Sequence, residues 1–450
     1  MPPAAIRGRR PWEEFALRRR CGDHMQRSHP MQQEILREAA ARFGTPSYVY
    51  WMDGILERIA EVRRAFGDRL RISYAVKANP NRALLRRLKE HVEHLDVSSG
   101  GELILASEAG WDPCSFTFVG PGKADGELRL AADRECGVIV AESEEELERL
   151  DQIGAERGKA LGVVLRVNPK MLPKGYGVSM AMRPTQFGID EEALDTVLQR
   201  CGSLAHLQFQ GFHVYAGTQC LNNESIAENF ANCARIFREA SHRHHLRPRR
   251  LIFGSGFGIP YHEREEPIAL AAIAELSNPV FDQLREDPAT REAALSLELG
   301  RYLVGEAGVY LTTVIRKKQS RGKEFLILDG GMNHHLAASG NLGSVIKRNY
   351  PIRCLNTGRL ACGRGKQELV GNLCTSIDSL GRDVDLGPVE AGDILAVGCS
   401  GAYGLTASPL HFITHEPPKE ILVETRDGRP VMRDITLDGP VARPPGWAPQ

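Results

Sequence analysis

From residue 70 the chain alternates short apolar runs with longer stretches whose apolar residues recur every three or four positions. The runs are RISYAV (71–76), HLDV (94–97), FTFV (116–119), GVIV (137–140), GVVLRV (162–167), LQFQGFHV (207–214), LIF (251–253) and LSLEL (295–299). They are strand-length and bounded by turn residues, so they read as buried strands. Between them, segments such as RALLRRLKEH, ESEEELERLDQIGAE and SIAENFANCARIFREASHR carry the helical period. Strand–helix alternation implies parallel strands joined by right-handed crossovers. Eight such units in about 230 residues are the size of a (β/α)8 TIM barrel, an α/β fold.

After residue 300 the rhythm changes. YLTTVIRKKQSRGKEFLILD reads as two strands about a polar SRGK turn, DILAVG as another, and EILVETRDGRPVMRDI as a hairpin about Asp-Gly. These predict a mostly antiparallel C-terminal β domain. The boundaries are a basic, flexible extension over 1–35, the barrel over 36–304, the β domain over 305–430 and a flexible tail over 431–450. SYVYW (47–51) stands ahead of the barrel and is a candidate to join the β domain.

Length and composition agree with two domains. The chain has 450 residues, 42% of them hydrophobic and 25% charged, enough for a sizeable core. Lys+Arg and Asp+Glu are both 57, so no global field favours nucleic acid or an anionic membrane. No apolar run reaches membrane-span length and no secretory signal is evident, so a cytoplasmic protein is expected. The ten cysteines form no CxxC pair and no zinc-like spacing, which points to reduced thiols.

Barrel enzymes work at the C-terminal ends of their strands. Here those ends carry Lys77; Ser98 to Glu102; GPGK (120–123); Glu142; Arg166 and Asn168; His213; GSGFG, that is Gly254, Ser255, Gly256, Phe257 and Gly258; and Glu298 with Arg301 just beyond. Lys77 alone reads either as a solvated loop lysine or as an amine held for chemistry. GSGFG alone reads as a tight βα turn or as a phosphate cradle. Together they change the picture, because loops after the seventh and eighth strands are the usual phosphate site of such barrels. An amine facing a phosphate cradle suits a Schiff base to pyridoxal 5'-phosphate. Glu298 suits the ring nitrogen, His213 the ring face, and Arg301 the phosphate.

The motifs YAVKAN, DVSSGGEL, GFHVYAGTQ, GSGFG, ELGR, GNLCTSID and SGAYG, in this order, resemble those of the fold type III pyridoxal-phosphate decarboxylases, the diaminopimelate, ornithine and arginine decarboxylase family, over about residues 40 to 425. The resemblance implies an alanine-racemase-like barrel and Lys77 as the cofactor lysine. It implies His213 stacked on the ring, Glu298 at its nitrogen, and phosphate contacts from 254–258, Arg301 and Tyr403. It also implies a homodimer with active sites at the interface, in which Cys374 enters the partner's site and protonates the carbanion left by decarboxylation. Arg166, Thr375 and Asp378 are the candidate substrate contacts.

The chain departs from diaminopimelate decarboxylases at the substrate's far end. Thr375 follows Cys374 where they have Glu, and 329–351 lacks their Arg-Pro-x-x-Tyr segment. Losing polar partners implies a different far end. GGMNHHLAAS, CTSID and SGAYGLTASPLHF resemble more closely the branch of carrier-protein-linked (butirosin-type) and exosortase-associated decarboxylases. The expected function is therefore decarboxylation of a noncanonical or carrier-tethered amino acid. The runner-up is meso-diaminopimelate decarboxylase, and an inactive binding homologue is the alternative of another class. His334-His335 as a metal pair lacks a carboxylate–His spacing, and no metal is expected.

Overall fold

A computed structural model gives the fold. It describes residues 30–440 apart from 172, 180–183, 263, 343–346 and 357–365. The readings of 1–29 as a flexible arm and of 441–450 as a tail lie outside the described residues.

Eight parallel strands close a barrel: β2 (Arg71–Ala75), β3 (His94–Val97), β4 (Phe116–Phe118), β5 (Val138–Ala141), β6 (Leu161–Asn168), β7 (Leu207–Val214), β8 (Arg250–Gly254) and β9 (Ala294–Leu299). Closure runs through β5 to β6 at one side and β9 to β2 at the other. Covering helices follow most strands: α2 (Met52–Phe66), α3 (Arg82–Leu88), α4 (Gly100–Glu108), α5 (Asp125–Asp133), α6 (Glu144–Arg157), α7 (Leu194–Ser203), α8 (Asn223–Arg243) and α9 (Leu270–Glu286). Local chemistry sets their starts. Ser99, Ser143 and Asn222 each accept a hydrogen bond from a first-turn N–H, and three glutamates in the first turn of α6 favour its positive end. The outward strand faces and the helices share one apolar cluster, in which the Phe230 ring meets those of Phe253, Phe257 and Phe281, and Phe253 meets Phe281. Val119, Val138, Val140, Val164 and Ile252 fill the barrel's inside.

The second sheet is mostly antiparallel. Its strands are β1 (Ser47–Trp51), β10 (Gly308–Ser320), β11 (Lys323–Leu328), β12 (Ile352–Cys354), β13 (Gln367–Val370), β14 (Ser379–Val384), β15 (Ile394–Val397), β16 (Lys419–Arg426) and β17 (Arg429–Asp434). β1 lies between β10 and β16, so SYVYW pairs in this sheet.

Two boundaries fall elsewhere than the sequence pattern put them. Helix α1 (Pro30–Phe43) begins before residue 36 and lays Ile35, Leu36, Ala39 and Ala40 on Val49, Leu311 and Ile421 of the second sheet, not on the barrel. Its apolar face has that sheet as its burial partner, which a helical period cannot name. At the other end, 431–434 is not tail but strand, paired with β16 from Ile421↔Asp434 to Arg426↔Arg429.

The two units meet over the turn that carries Lys77. The Tyr403 N–H donates to Ala78 O at 2.9 Å, and Asn79 Nδ2 donates to Gly401 O at 3.2 Å. Gly401 permits this seam: a Cβ there would stand 1.8 Å from Val304 O.

Candidate active site

Lys77 sits in a short turn, Val76–Ala78, directly after β2. Its side chain keeps 40% exposure while its partner Asp96, 3.7 Å away, keeps 2%. The amine therefore opens into the barrel mouth over a buried carboxylate. Burial would discharge it, but Asp96 first, then Tyr403, Tyr215 and Glu298, outweigh this and raise its pKa, so the amine is protonated. Burial and Glu298 push Asp96 up, against the pull of Lys77.

Glu298 and His213 lie on β9 and β7, separated by β8, and both are buried. His213 Nε2–H donates to Glu298 Oε2 at 3.1 Å. Burial would raise Glu298, but His213, Lys77 and Arg166 bring it below the usual range, so it is ionised. Its other oxygen, Oε1, is buried with no hydrogen-bond partner among the described residues, as is His213 Nδ1. A buried carboxylate oxygen without a donor calls for one, and a protonated ring nitrogen is such a donor.

The 254–258 turn follows β8. Gly256 has φ +65, and a Cβ on it would meet Tyr176 Cε1 at 2.4 Å and Gly217 O at 2.8 Å. A Cβ on Gly254 would meet Tyr215 Cδ2 at 2.5 Å. Only glycine leaves the backbone this near its neighbours. Ser255 Oγ–H donates to Glu298 O at 2.6 Å and ties the turn to β9. Arg301, at the start of α10 (Arg301–Val304), donates from Nη1 to Tyr261 Oη at 2.6 Å and lies 4.8 Å from the Tyr403 ring centre. Its buried Nε–H has no acceptor among the described residues. The orphaned donor at the cradle and the orphaned acceptor on Glu298 fit the two ends of pyridoxal phosphate.

Lys77, His213, 254–258, Glu298, Arg301 and Tyr403 thus share one rim. The other candidates are placed differently. Arg166 is buried and pairs with Glu142 at 3.0 Å, stacked on Phe187. Asp378 turns inward: its oxygens accept from Met332 N at 2.7 Å and Leu373 N at 3.0 Å. It holds the turn that displays Cys374 and Thr375. Cys374 is exposed there, and within one chain it makes no described hydrogen bond to the barrel residues. His335 spends both nitrogens: Nδ1 accepts from Ala338 N at 3.3 Å and Nε2–H donates to Ser400 Oγ at 2.9 Å, which pins the turn before Tyr403. Sequence reasoning missed Asp96 and Tyr261. An acid inside the apolar run HLDV was the available signal for the first; nothing local marked the second.

A parallel barrel with this rim defines a pyridoxal-phosphate enzyme of the barrel class. The family model for the pyridoxal-dependent decarboxylase pyridoxal binding domain matches residues 52–305. The L-glutamyl-[BtrI acyl-carrier protein] decarboxylase of Niallia circulans is 36% identical over 92% of this chain and 96% of that protein. The diaminopimelate decarboxylase of Aquifex aeolicus is 32% identical over 86% and 89%. The crystal structure of Helicobacter pylori diaminopimelate decarboxylase complexed with L-lysine superposes with a TM-score of 0.78 at 27% identity, covering 89% of this chain and 95% of that one. The chain belongs to the pyridoxal-dependent decarboxylases, and it is a pyridoxal-phosphate-dependent amino-acid carboxy-lyase. Among the described residues no helix is long and apolar enough to cross a membrane.

Proposed function

We propose that the enzyme removes the α-carboxylate of an amino acid whose far end is an acyl group tethered to a carrier protein, leaving the amine. The observation that carries this reading is Thr375 next to Cys374, where diaminopimelate decarboxylases have a glutamate for the distal ammonium. The missing Arg-Pro-x-x-Tyr segment and the 36% identity to a carrier-protein glutamyl decarboxylase support it.

Lys77 would hold the cofactor aldehyde, Glu298 its ring nitrogen, His213 its face, and the 254–258 turn with Arg301 and Tyr403 its phosphate. Pyridoxal phosphate, when bound, supplies a conjugated ring that takes up the electron pair released as carbon dioxide departs. Lys77 is nucleophilic only after shedding its proton, and Asp96 Oδ2 at 3.7 Å stands to take it. Glu298, held ionised by His213, would keep a proton on the ring nitrogen. The Cys374 thiol of a second copy in a homodimer returns a proton to the α-carbon, which balances the loss of carbon dioxide.

The test is carbon dioxide release by the cofactor-loaded enzyme from a glutamyl thioester on a carrier protein and, separately, from meso-diaminopimelate. Release from the thioester alone supports the reading. Rapid release from diaminopimelate, with lysine as product, would overturn it. Lys77→Ala should lose both turnover and the borohydride-reducible cofactor absorbance; retained turnover removes Lys77 from its role.

A further inference from the structure

The opposite end of the barrel holds a second charged cluster that decarboxylation does not use. Arg71, His94 and Arg250 begin β2, β3 and β8. Strand alternation puts Arg250 on the face of Ile252, which belongs to the barrel's inner cluster. It puts His94 on the face of Asp96, whose carboxylate meets Lys77 at the mouth. The three sense one another's charge. Burial first, then Arg250 and Arg71, push His94 down to about 4, and burial with Arg71 lowers Arg250.

Glu93 and the Ser115 backbone offset only part of this on His94. Among the described residues no ion pair joins Arg71, His94 or Arg250 to a carboxylate. Among the described residues Arg250 Nη1 is buried without a hydrogen-bond partner, and no well-aligned partner meets either nitrogen of His94, the Ser115 backbone lying beside its ring. The nearby acid, Glu93, already accepts from Arg63 at 2.7 Å and from Ile72 N at 2.8 Å. The other groups facing Arg250 are the thiols of Cys114 and Cys136, which burial raises, the latter to about 12, so both are neutral. A desolvated guanidinium without a counter-charge is costly. Arg71 is exposed and Arg250 half-buried, so the cluster is open to solvent.

We propose that the barrel floor binds a small inorganic oxyanion, phosphate or sulfate, between Arg250, His94 and Arg71. The guanidinium fork suits two oxygens of a tetrahedral anion, and the imidazole supplies a further donor. The site faces away from the Lys77 rim, so it is a stabilising ion site independent of the substrate reading.

The test uses the holoenzyme, whose own phosphate site is filled by cofactor, in a buffer free of small oxyanions. Inorganic phosphate should raise the Tm saturably by about 2–3 °C, and Arg250→Met should abolish that rise while retaining cofactor absorbance and turnover. An equal rise in the variant, or none in the wild type, overturns the proposal. If Arg250→Met does not fold, crystals of the wild-type holoenzyme soaked in selenate decide it. An anomalous peak between Arg250 and His94 supports the site, and its absence refutes it.

Discussion

Glu420 on β16 offers a quantitative handle on the seam that holds the Lys77 turn. It is 2% exposed and accepts hydrogen bonds from Tyr50 Oη–H and from Asn81 Nδ2, both at 3.0 Å. Asn81 in turn caps α3, its Oδ1 accepting from Ala83 N at 3.0 Å. The carboxylate therefore ties the second sheet to the chain just after Lys77. Burial, with Asp434 and Asp438, pushes Glu420 from an ordinary 4.5 up to about 7, against the two hydrogen bonds. The folded state holds this proton more tightly than the unfolded one. Stability from it is complete below pH 4.5 and is lost as pH rises to about 7. A shift of this size corresponds to about 3 kcal/mol.

Glu420→Gln imitates the protonated acid, because the Tyr50 hydroxyl can turn to accept from the new amide. The variant should match the wild type near pH 4.5 and exceed it by about 3 kcal/mol at pH 8. Urea denaturation of both proteins across that range measures the difference, which cancels every other titrating group. A constant offset from pH 4.5 to 8 would refute the reasoning, since it would mean that Glu420 titrates alike in both states.

Two further substitutions probe the site's framework. Gly256→Ala places a Cβ 2.4 Å from Tyr176 Cε1 at a φ of +65, so the turn must shift. Cofactor affinity, read by absorbance titration, should fall about 10- to 100-fold, from roughly 1–3 kcal/mol of strain and displacement. Asp378→Ala leaves the N–H groups of Met332 and Leu373 buried without acceptors, at about 1–3 kcal/mol each. Its denaturation midpoint should drop and Cys374 should react faster with a thiol reagent; unchanged values would mean that Asp378 does not hold the turn.

Much of the site was legible because it sits where the barrel puts all such sites. Strand ends can be read from apolar runs, and Lys77, His213, Glu298 and 254–258 all stand at one. Asp96 escaped because an acid within a run looks like noise until Lys77 is placed 3.7 Å from it. Asp378 sits two residues from exposed Ser376, yet it faces inward onto two backbone amides.

By itself the sequence determined the barrel, the antiparallel sheet and the chemistry at the rim, because periods of two and 3.6 residues and polar strand ends are local signals. Only the tertiary structure decided the partners. It paired Arg166 with Glu142, set His213 on Glu298, laid α1 on the second sheet and brought Tyr403 to Ala78. Those contacts join residues far apart in the chain. A charged side chain's role follows from what the closed barrel places beside it, which no local pattern contains.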